Sequence, residues 1–156
     1  FFNVFGPNEY HKTGMHSVVL KAYNDICEKG SVGLFKSYKD EYADGEQKRD
    51  FIYVKDCAAV ILWLLENPKV NGLYNLGTGN ARSWNDLVNA VFSALNKESN
   101  IEYIDMPEQL QKQYQYFTEA KMDKLREVGY TKEITSLEDA VKDYVVNYLD
   151  SKNQFY

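Results

Sequence analysis

The segment RDFIYVKDCAAVILWLLEN, residues 49–67, decides the fold class of this chain. Its first part, RDFIYV, is rich in aromatic and β-branched residues and predicts a buried strand. The apolar run CAAVILWLL follows, and Pro68 stands where a helix would have to end. A strand that leads directly into a helix is the repeating unit of α/β proteins.

The rest of the chain continues this alternation. Strands are predicted at FFNVF (1–5), VGLF (32–35), GLYNL (72–76) and IEYI (101–104), and helices at 15–28, 84–96, 118–129 and 136–149. Ser83 and Ser136 are expected as helix N-caps and Gly30 as a C-cap. The prediction is an α/β fold.

Composition excludes several functions. A chain of 156 residues has the size of one domain, and its net charge of −5 argues against binding a nucleic-acid backbone. The apolar run at 57–65 is shorter than the about 20 residues that span a bilayer, and no basic-then-apolar leader opens the chain. Cys27 and Cys57 lack CxxC spacing, so no metal site is expected. We expect a soluble cytoplasmic protein without nucleic-acid or membrane partners.

Three stretches occur in an order that resembles one protein family: FFNVFGP (1–7), QKRDFIYVKD (47–56) and LYNLGTGNARSWNDLV (73–88). Together they resemble the C-terminal half of the extended short-chain dehydrogenase/reductases, the NAD(P)-dependent nucleotide-sugar epimerases and dehydratases. Three more stretches resemble the heptose-epimerase branch of that family: EYHKTGMHSVV (9–19), LFKSYKDEYADGEQKRDF (34–51) and YQYFTEA (114–120). The resemblance covers essentially the whole chain.

The resemblance implies a Rossmann-type protein whose main dinucleotide-binding half is absent. The family's GxxGxxG cofactor loop belongs to that N-terminal half, and the pattern does not occur in this sequence. Residues 1–156 are therefore predicted to form a single C-terminal substrate-binding domain, with strands that would complete the missing sheet. FFNVF would be an inner strand without its neighbours. The chain alone should be inactive, because the absent half holds most of the cofactor.

Lys12 is the catalytic residue that the resemblance implies, and Lys12 and Val4 would also contact NADP. Epimerisation of a carbinol carbon removes hydride and returns it to the opposite face. Two proton-transfer groups on different sides are then useful, and Lys12 would be the second beside a Tyr of the absent half. Judged by residue type alone, a solvated loop lysine is the alternative.

Substrate contacts are implied for seven residues: Asn3, Phe35, Lys36, Ser37, Tyr38, Arg49 and Tyr114. The amide of Asn3 can donate and accept hydrogen bonds, with a turn-forming role as the alternative. Arg49 would hold the diphosphate through two parallel hydrogen bonds, and a surface pair with Asp50 is the alternative. For Tyr114 the alternative is a core or rim position.

Three further features bear on these expectations. GTG at 77–79 lacks the GxGxxG spacing and is predicted to be a structural turn without a phosphate role. Thr13-Gly14 follows Lys12 where the family commonly has Gly and then a polar residue. Lys21 stands where the family has a substrate-contacting His. The predicted substrate contacts near Thr13, Gly14 and Lys21 are therefore in question.

The implied function is epimerisation of ADP-heptose, a precursor of bacterial lipopolysaccharide core, by an NADP-dependent homo-oligomer. A different nucleotide-sugar epimerase or dehydratase of the same family is one alternative. A stand-alone, non-catalytic binding module is another, although a chain that begins inside a predicted strand argues against it.

Overall fold

The computed structural model describes residues 1–12 and 14–151 and confirms the α/β class. Its strands are β1 (Asn3–Phe5), β2 (Val32–Phe35), β3 (Lys48–Arg49), β4 (Phe51–Tyr53), β5 (Arg82–Ser83) and β6 (Ile101–Ile104). Its helices are α1 (Val18–Lys29), α2 (Val54–Glu66), α3 (Trp84–Ala94), α4 (Glu108–Gln111), α5 (Asp123–Glu127) and α6 (Leu137–Tyr144), and α6 continues as a π-helix over Val145–Asp150. No helix in the described ranges is long and apolar enough to cross a membrane.

Capping side chains fix the ends of the main helices. Ser17 begins α1, and its Oγ accepts the N–H of Leu20 at 3.2 Å. Gly30 ends α1 in the left-handed region, with a φ of 74°. Ser83 and Asp86 form a full capping box at the start of α3. These contacts satisfy backbone groups that a helix end leaves without partners, and those at Gly30 and Ser83 confirm predicted caps.

The described strands pair two by two. β1 and β4 are parallel, with Asn3 opposite Phe51 and Phe5 opposite Tyr53. β2 and β6 are also parallel, whereas β3 and β5 are antiparallel. The parallel β1–β4 pair places the carboxyl end of β1, and the loop that follows it, at the edge where α/β proteins commonly bind ligands.

The predicted strand RDFIYV is interrupted at Asp50, which is fully buried. Its carboxylate accepts hydrogen bonds from the N–H and hydroxyl of Thr78, both at 2.7 Å, and from the N–H groups of Gly79 and Ala120, both at 2.9 Å. Asp50 therefore turns inward, and the chain changes from one pair of strands to another at this residue.

The predicted strand at 72–76 is not formed. The structure records one backbone hydrogen bond there towards β1, from the N–H of Phe2 to the carbonyl of Leu76 at 2.9 Å. This segment instead leads into the turn around Thr78, whose amide is held by Asp50.

The helix predicted at 118–129 is reduced to α5. The N–H of Thr118 bonds the carbonyl of Lys48 at 3.2 Å, and the N–H of Ala120 bonds Asp50. Because these amides are engaged by other parts of the chain, the helix begins only after them.

The core lies on both faces of the β1–β4 pair. Phe5, Phe51 and Tyr53 face a cluster formed with α1, α3 and α6, while Ile52 faces a second cluster formed with α2 and α5. Alternate residues of a strand point to opposite faces, and coverage of both faces is typical of parallel sheets.

Candidate active site

Two adjoining cavities bring most of the predicted site residues together. The first, here called the Lys12 cavity, has a volume of about 220 Å³ and is lined by Asn3, Val4 and Lys12. The second, here called the Phe35 cavity, measures about 230 Å³ and is lined by Phe35 and Tyr114. Val18 and Trp84 line both cavities, so the two form neighbouring parts of one concave region.

Lys12 lies in the loop that joins β1 to α1. Its side chain is exposed and lines the Lys12 cavity together with His16. The backbone N–H of Lys12 donates to the carbonyl of Glu9 at 3.1 Å, and the N–H of Met15 donates to the carbonyl of Lys12 at 3.3 Å. The loop thus presents a cation beside the end of β1, whereas the predicted contact at Thr13 lies outside the described residues.

Gly14 and Lys21 fall in different surroundings. Gly14 is exposed with a φ of 75°, and a Cβ atom added there would meet nothing within 4 Å. Lys21 is exposed and lines the Phe35 cavity, so its ammonium group stands where the family's His was expected to contact substrate.

Asn3 is held in place by the Asp50 bend. Its Nδ2 donates to the backbone carbonyl of Asp50 at 3.0 Å. The carboxylate of Asp50 accepts the amides of Thr78 and Gly79, so the glycine-rich turn at 77–79 binds an anion that belongs to the protein. This arrangement supports the prediction that the turn has a structural role.

Arg49 is buried behind the aromatic wall of the Phe35 cavity. Its guanidinium carbon lies 5.3 Å from the ring centre of Tyr114 and 5.8 Å from that of Trp84. Its nitrogens donate to the carbonyls of Lys48, at 2.8 Å, and Gln115. Burial lowers the pKa of Arg49, against the effect of the neighbouring Tyr114. The alternative of a surface pair between Arg49 and Asp50 is wrong, since both are buried and the Asp50 carboxylate bonds other groups.

Tyr114 connects Arg49 to the cavity lining. Its hydroxyl accepts the indole N–H of Trp84 at 2.9 Å, and its ring meets that of Phe35 edge to face at 6.4 Å. Burial raises the pKa of Tyr114, although Arg49 and the bond from Trp84 act in the opposite direction. The hydroxyl is therefore held neutral and serves as a hydrogen-bonding group.

Lys36, Ser37 and Tyr38 lie on a polar edge beyond Phe35. Lys36 Nζ contacts Asp105 Oδ1 at 3.0 Å, and the Tyr38 hydroxyl donates to the same oxygen at 3.3 Å. The hydroxyl of Ser37 donates to the carbonyl of Lys39 at 3.0 Å. The structure therefore places these three side chains at the carboxyl end of β2 but not among the residues that line the two cavities.

Two residues of this region were not identified from the sequence. Trp84 lines both cavities. It precedes the buried Leu87 and Val88 by three and four residues and packs against the core, so its sequence position is that of an ordinary core residue and gave no signal. Glu9 is only 4% exposed and binds Ser17 and Tyr144. A single glutamate in a polar loop carries no sequence pattern that predicts such burial.

Comparisons with known proteins indicate the family. The profile of the NAD dependent epimerase/dehydratase family matches residues 1–77. An ADP-L-glycero-D-manno-heptose-6-epimerase of Nitratidesulfovibrio vulgaris (strain DP4) is 60% identical over 155 residues, which are 99% of this chain and 48% of that protein. A second ADP-L-glycero-D-manno-heptose-6-epimerase, from Fusobacterium nucleatum subsp. nucleatum, is 53% identical over 99% of this chain and 48% of that protein.

A solved structure shows the same relationship. The crystal structure of Helicobacter pylori ADP-L-glycero-D-manno-heptose-6-epimerase matches with a TM-score of 0.74 and 30% identity, over 94% of this chain and 42% of that one. The chain spans about half the length of the curated relatives that it matches. By its sequence relatives and its fold, this chain belongs to the NAD-dependent epimerase/dehydratase family of extended short-chain dehydrogenase/reductases.

Proposed function

We propose that residues 1–156 form the substrate-binding domain of an ADP-glyceromanno-heptose 6-epimerase. The enzyme would interconvert ADP-D-glycero- and ADP-L-glycero-D-manno-heptose by NADP-dependent oxidation and reduction at C6, in the synthesis of the lipopolysaccharide core precursor. The observation that carries the proposal is the placement of Lys12 and Asn3 on a cavity that adjoins the aromatic Phe35 cavity. The heptose epimerases of similar sequence support the choice of substrate.

The two cavities suit the two ends of a nucleotide sugar. The Phe35 cavity offers aromatic faces at Phe35, Tyr114 and Trp84, against which an adenine ring can stack. The Lys12 cavity offers an amide at Asn3 and an ammonium group at Lys12, which can bond sugar hydroxyls. Together the cavities fall within the range of about 300–1,000 Å³ that is usual for small-molecule sites. We assign the nucleoside to the first and the heptose to the second.

Arg49 and the polar edge of Lys36, Ser37 and Tyr38 would hold the diphosphate and the outer parts of the ligand. In the structure, Arg49 bonds the carbonyls of Lys48 and Gln115. Its predicted grip on a diphosphate therefore requires the guanidinium to exchange at least one of these carbonyls for phosphate oxygens. Lys36 and Tyr38 already bond Asp105, so they would bind a ligand beside that carboxylate or in exchange for it.

The residues present fit one wall of a nicotinamide site. Lys12 lines both the Lys12 cavity and a smaller one of about 140 Å³, which Val4, Pro7 and Val54 also line. An apolar wall that ends at a lysine suits a nicotinamide ring, and Val4 and Lys12 would hold it. The bound cofactor would accept the C6 hydride and later return it. The glycine-rich turn at 77–79 cannot bind its phosphates, because Asp50 occupies the turn amides.

Lys12 supplies proton transfer in this scheme. As the neutral amine it would take the proton of the C6 hydroxyl while the carbinol is oxidised, and as the ammonium it would give a proton to the oxygen while the ketone is reduced on the opposite face. A group that acts on one face only leaves the other face to a second acid or base, which would lie outside this chain. General acid–base catalysis of this kind contributes about 10²–10⁴-fold in rate.

The test is a chimera in which this chain replaces the matched segment of the Fusobacterium nucleatum relative. We expect the chimera to epimerise ADP-heptose and the chain alone to show no turnover with NADP. UDP-glucose and dTDP-glucose serve as competing substrates. Turnover of only one of those two sugars would contradict the heptose assignment, and turnover by the chain alone would contradict its role as one part of the enzyme.

We further propose NADP rather than NAD as the cofactor, a homo-oligomeric whole enzyme and a cytoplasmic location. The family resemblance is what supports all three. The chimera would be assayed with each dinucleotide, and its mass measured by light scattering. A lower KM for NAD, or a monomeric mass, would contradict the respective proposal.

A further inference from the structure

The loop that carries Lys12 is anchored by one buried carboxylate. Glu9 is 4% exposed, although the residues from His11 to His16 that are described are exposed. Glu9 Oε2 accepts the backbone N–H of Ser17 at 2.7 Å, and Oε1 accepts the hydroxyl of Ser17 at 2.6 Å. One carboxylate thus accepts both the backbone and the side-chain donor of Ser17.

The carboxylate also connects the loop to the opposite end of the chain. The buried hydroxyl of Tyr144, in α6, donates to Glu9 Oε1 at 2.9 Å. The ring of Tyr10 packs against the same core cluster, and its hydroxyl interacts with Tyr144. Burial and the nearby Glu9 raise the pKa of Tyr144, so its hydroxyl remains a neutral donor.

These contacts close the loop at its base. Glu9 and Ser17 are its two ends, and Ser17 is also the N-cap of α1. Lys12 lies between them, with its own N–H bonded to the Glu9 carbonyl at 3.1 Å. A change at the Glu9 carboxylate therefore alters the separation of the loop ends and, with it, the placement of the Lys12 amine over its cavity.

Resting on the proposed function, we propose that Glu9 is a positioning residue that holds Lys12 at the reacting carbon, with Tyr144 holding Glu9. Glu9 lines the Lys12 cavity beside Lys12 but does not line the Phe35 cavity, where the nucleoside is assigned. Its loss should therefore reduce the rate of the chemical step more than the binding of the nucleotide sugar. Misplacement of a catalytic group by about 1 Å can cost as much as a hundredfold in rate.

The first test needs no activity. Amide hydrogen exchange of Ser17 and Lys12 would be measured by NMR in this chain and in three variants: Glu9→Gln, Tyr144→Phe and Tyr53→Phe. Tyr53→Phe is the matched control, because it also deletes a buried phenol–carboxylate hydrogen bond, to Asp143 at 2.7 Å, within the same core cluster. Loss of one bond to a carboxylate should speed Ser17 exchange about tenfold in Glu9→Gln.

The same variants in the chimera give the second test. Glu9→Gln should lower kcat by about tenfold to a hundredfold with little change in KM. Tyr144→Phe should lower kcat by a smaller factor, and Tyr53→Phe should leave kcat unchanged. Unchanged exchange at Ser17 and Lys12 in Glu9→Gln would overturn the anchor. An equal loss of kcat in Tyr53→Phe would show that the effect of Glu9→Gln does not come specifically from the placement of Lys12. A wild-type chimera without turnover would refute the proposed function. The exchange data would still decide whether Glu9 anchors the loop that carries Lys12.

Discussion

At the scale of single residues, Asp50 organises the region around the candidate site. One carboxylate accepts three backbone amides and one hydroxyl, and its own carbonyl positions Asn3. Gly77 packs so closely that an added Cβ would lie 2.7 Å from Asp50 Oδ2. The tight turn and the buried acid are therefore parts of one structural unit, and Asn3 depends on it.

Asp50→Ala is expected to destabilise the chain by about 3–5 kcal/mol, because it leaves several buried donors without an acceptor. Urea unfolding followed by circular dichroism measures the change. Asp105→Ala is the control, since the Asp105 side chain is 77% exposed and its ion pair with Lys36 lies at the surface; it should change stability by less than about 1 kcal/mol. Equal losses in the two variants would show that Asp50 is not the organising group.

At the scale of elements, Asp143 connects α6 to the junction of β4 and α2. Its Oδ2 accepts the hydroxyl of Tyr53 and contacts Nζ of Lys55, both at 2.7 Å. Burial of Asp143 opposes its ionisation, but the bonds from Lys55, Tyr53 and Asn147 outweigh it and lower the pKa of the carboxyl.

This lowered pKa predicts part of the acid sensitivity of the fold. The pKa of an aspartate in the unfolded chain is about 3.9. The contribution of Asp143 to the free energy of unfolding is therefore complete above that pH, and it is lost as the pH falls through the lower pKa of the folded state. The free energy of unfolding should therefore decline less steeply between about pH 4 and pH 2 in Asp143→Asn than in the wild type. Asp40→Asn, an exposed change of the same type, should leave the slope unaltered. A wild-type slope in Asp143→Asn would refute this account.

Some features of the helices and strands could be predicted from the sequence, and others could not. The C-terminal end of α1 and the start of α3 were predictable because Gly30 and Ser83 are local signals that act within a few residues. The bend at Asp50 was not, because its partners lie at 78–79 and 120 and no local pattern identifies them. The same contacts shortened the helix predicted at 118–129. Likewise, Lys12 was found through a family pattern, whereas the anchoring role of Glu9 depends on Tyr144 at the far end of the chain.

At the scale of the whole molecule, the outer face of α2 is apolar and exposed. Ile61, Leu62 and Leu65 are 47%, 60% and 72% exposed, and Leu73 is 85% exposed. Helices that are apolar on most sides are usually covered in a complete protein. A contiguous apolar surface of this kind also favours association of soluble chains.

The isolated chain is therefore expected to self-associate at high concentration, and Leu65→Glu to shift its weight-average mass toward the 18.1 kDa of a single chain. Val146→Glu is the matched control, since it places the same charge at a 42% exposed valine in the π-helix. Light scattering over a concentration series measures both. A concentration-independent mass in the wild type, or an equal shift in the control, would contradict the role assigned to the α2 face.

We propose that this chain supplies the heptose-binding wall of the enzyme, with Lys12 as one of its two proton-transfer groups. The most direct test is the rate of ADP-heptose epimerisation by the chimera with Lys12→Met, compared with Lys69→Met, which removes an exposed lysine outside both cavities. We predict that Lys12→Met lowers kcat by about 10²–10⁴-fold and that Lys69→Met keeps the wild-type rate. Wild-type turnover by the Lys12→Met chimera would contradict the account.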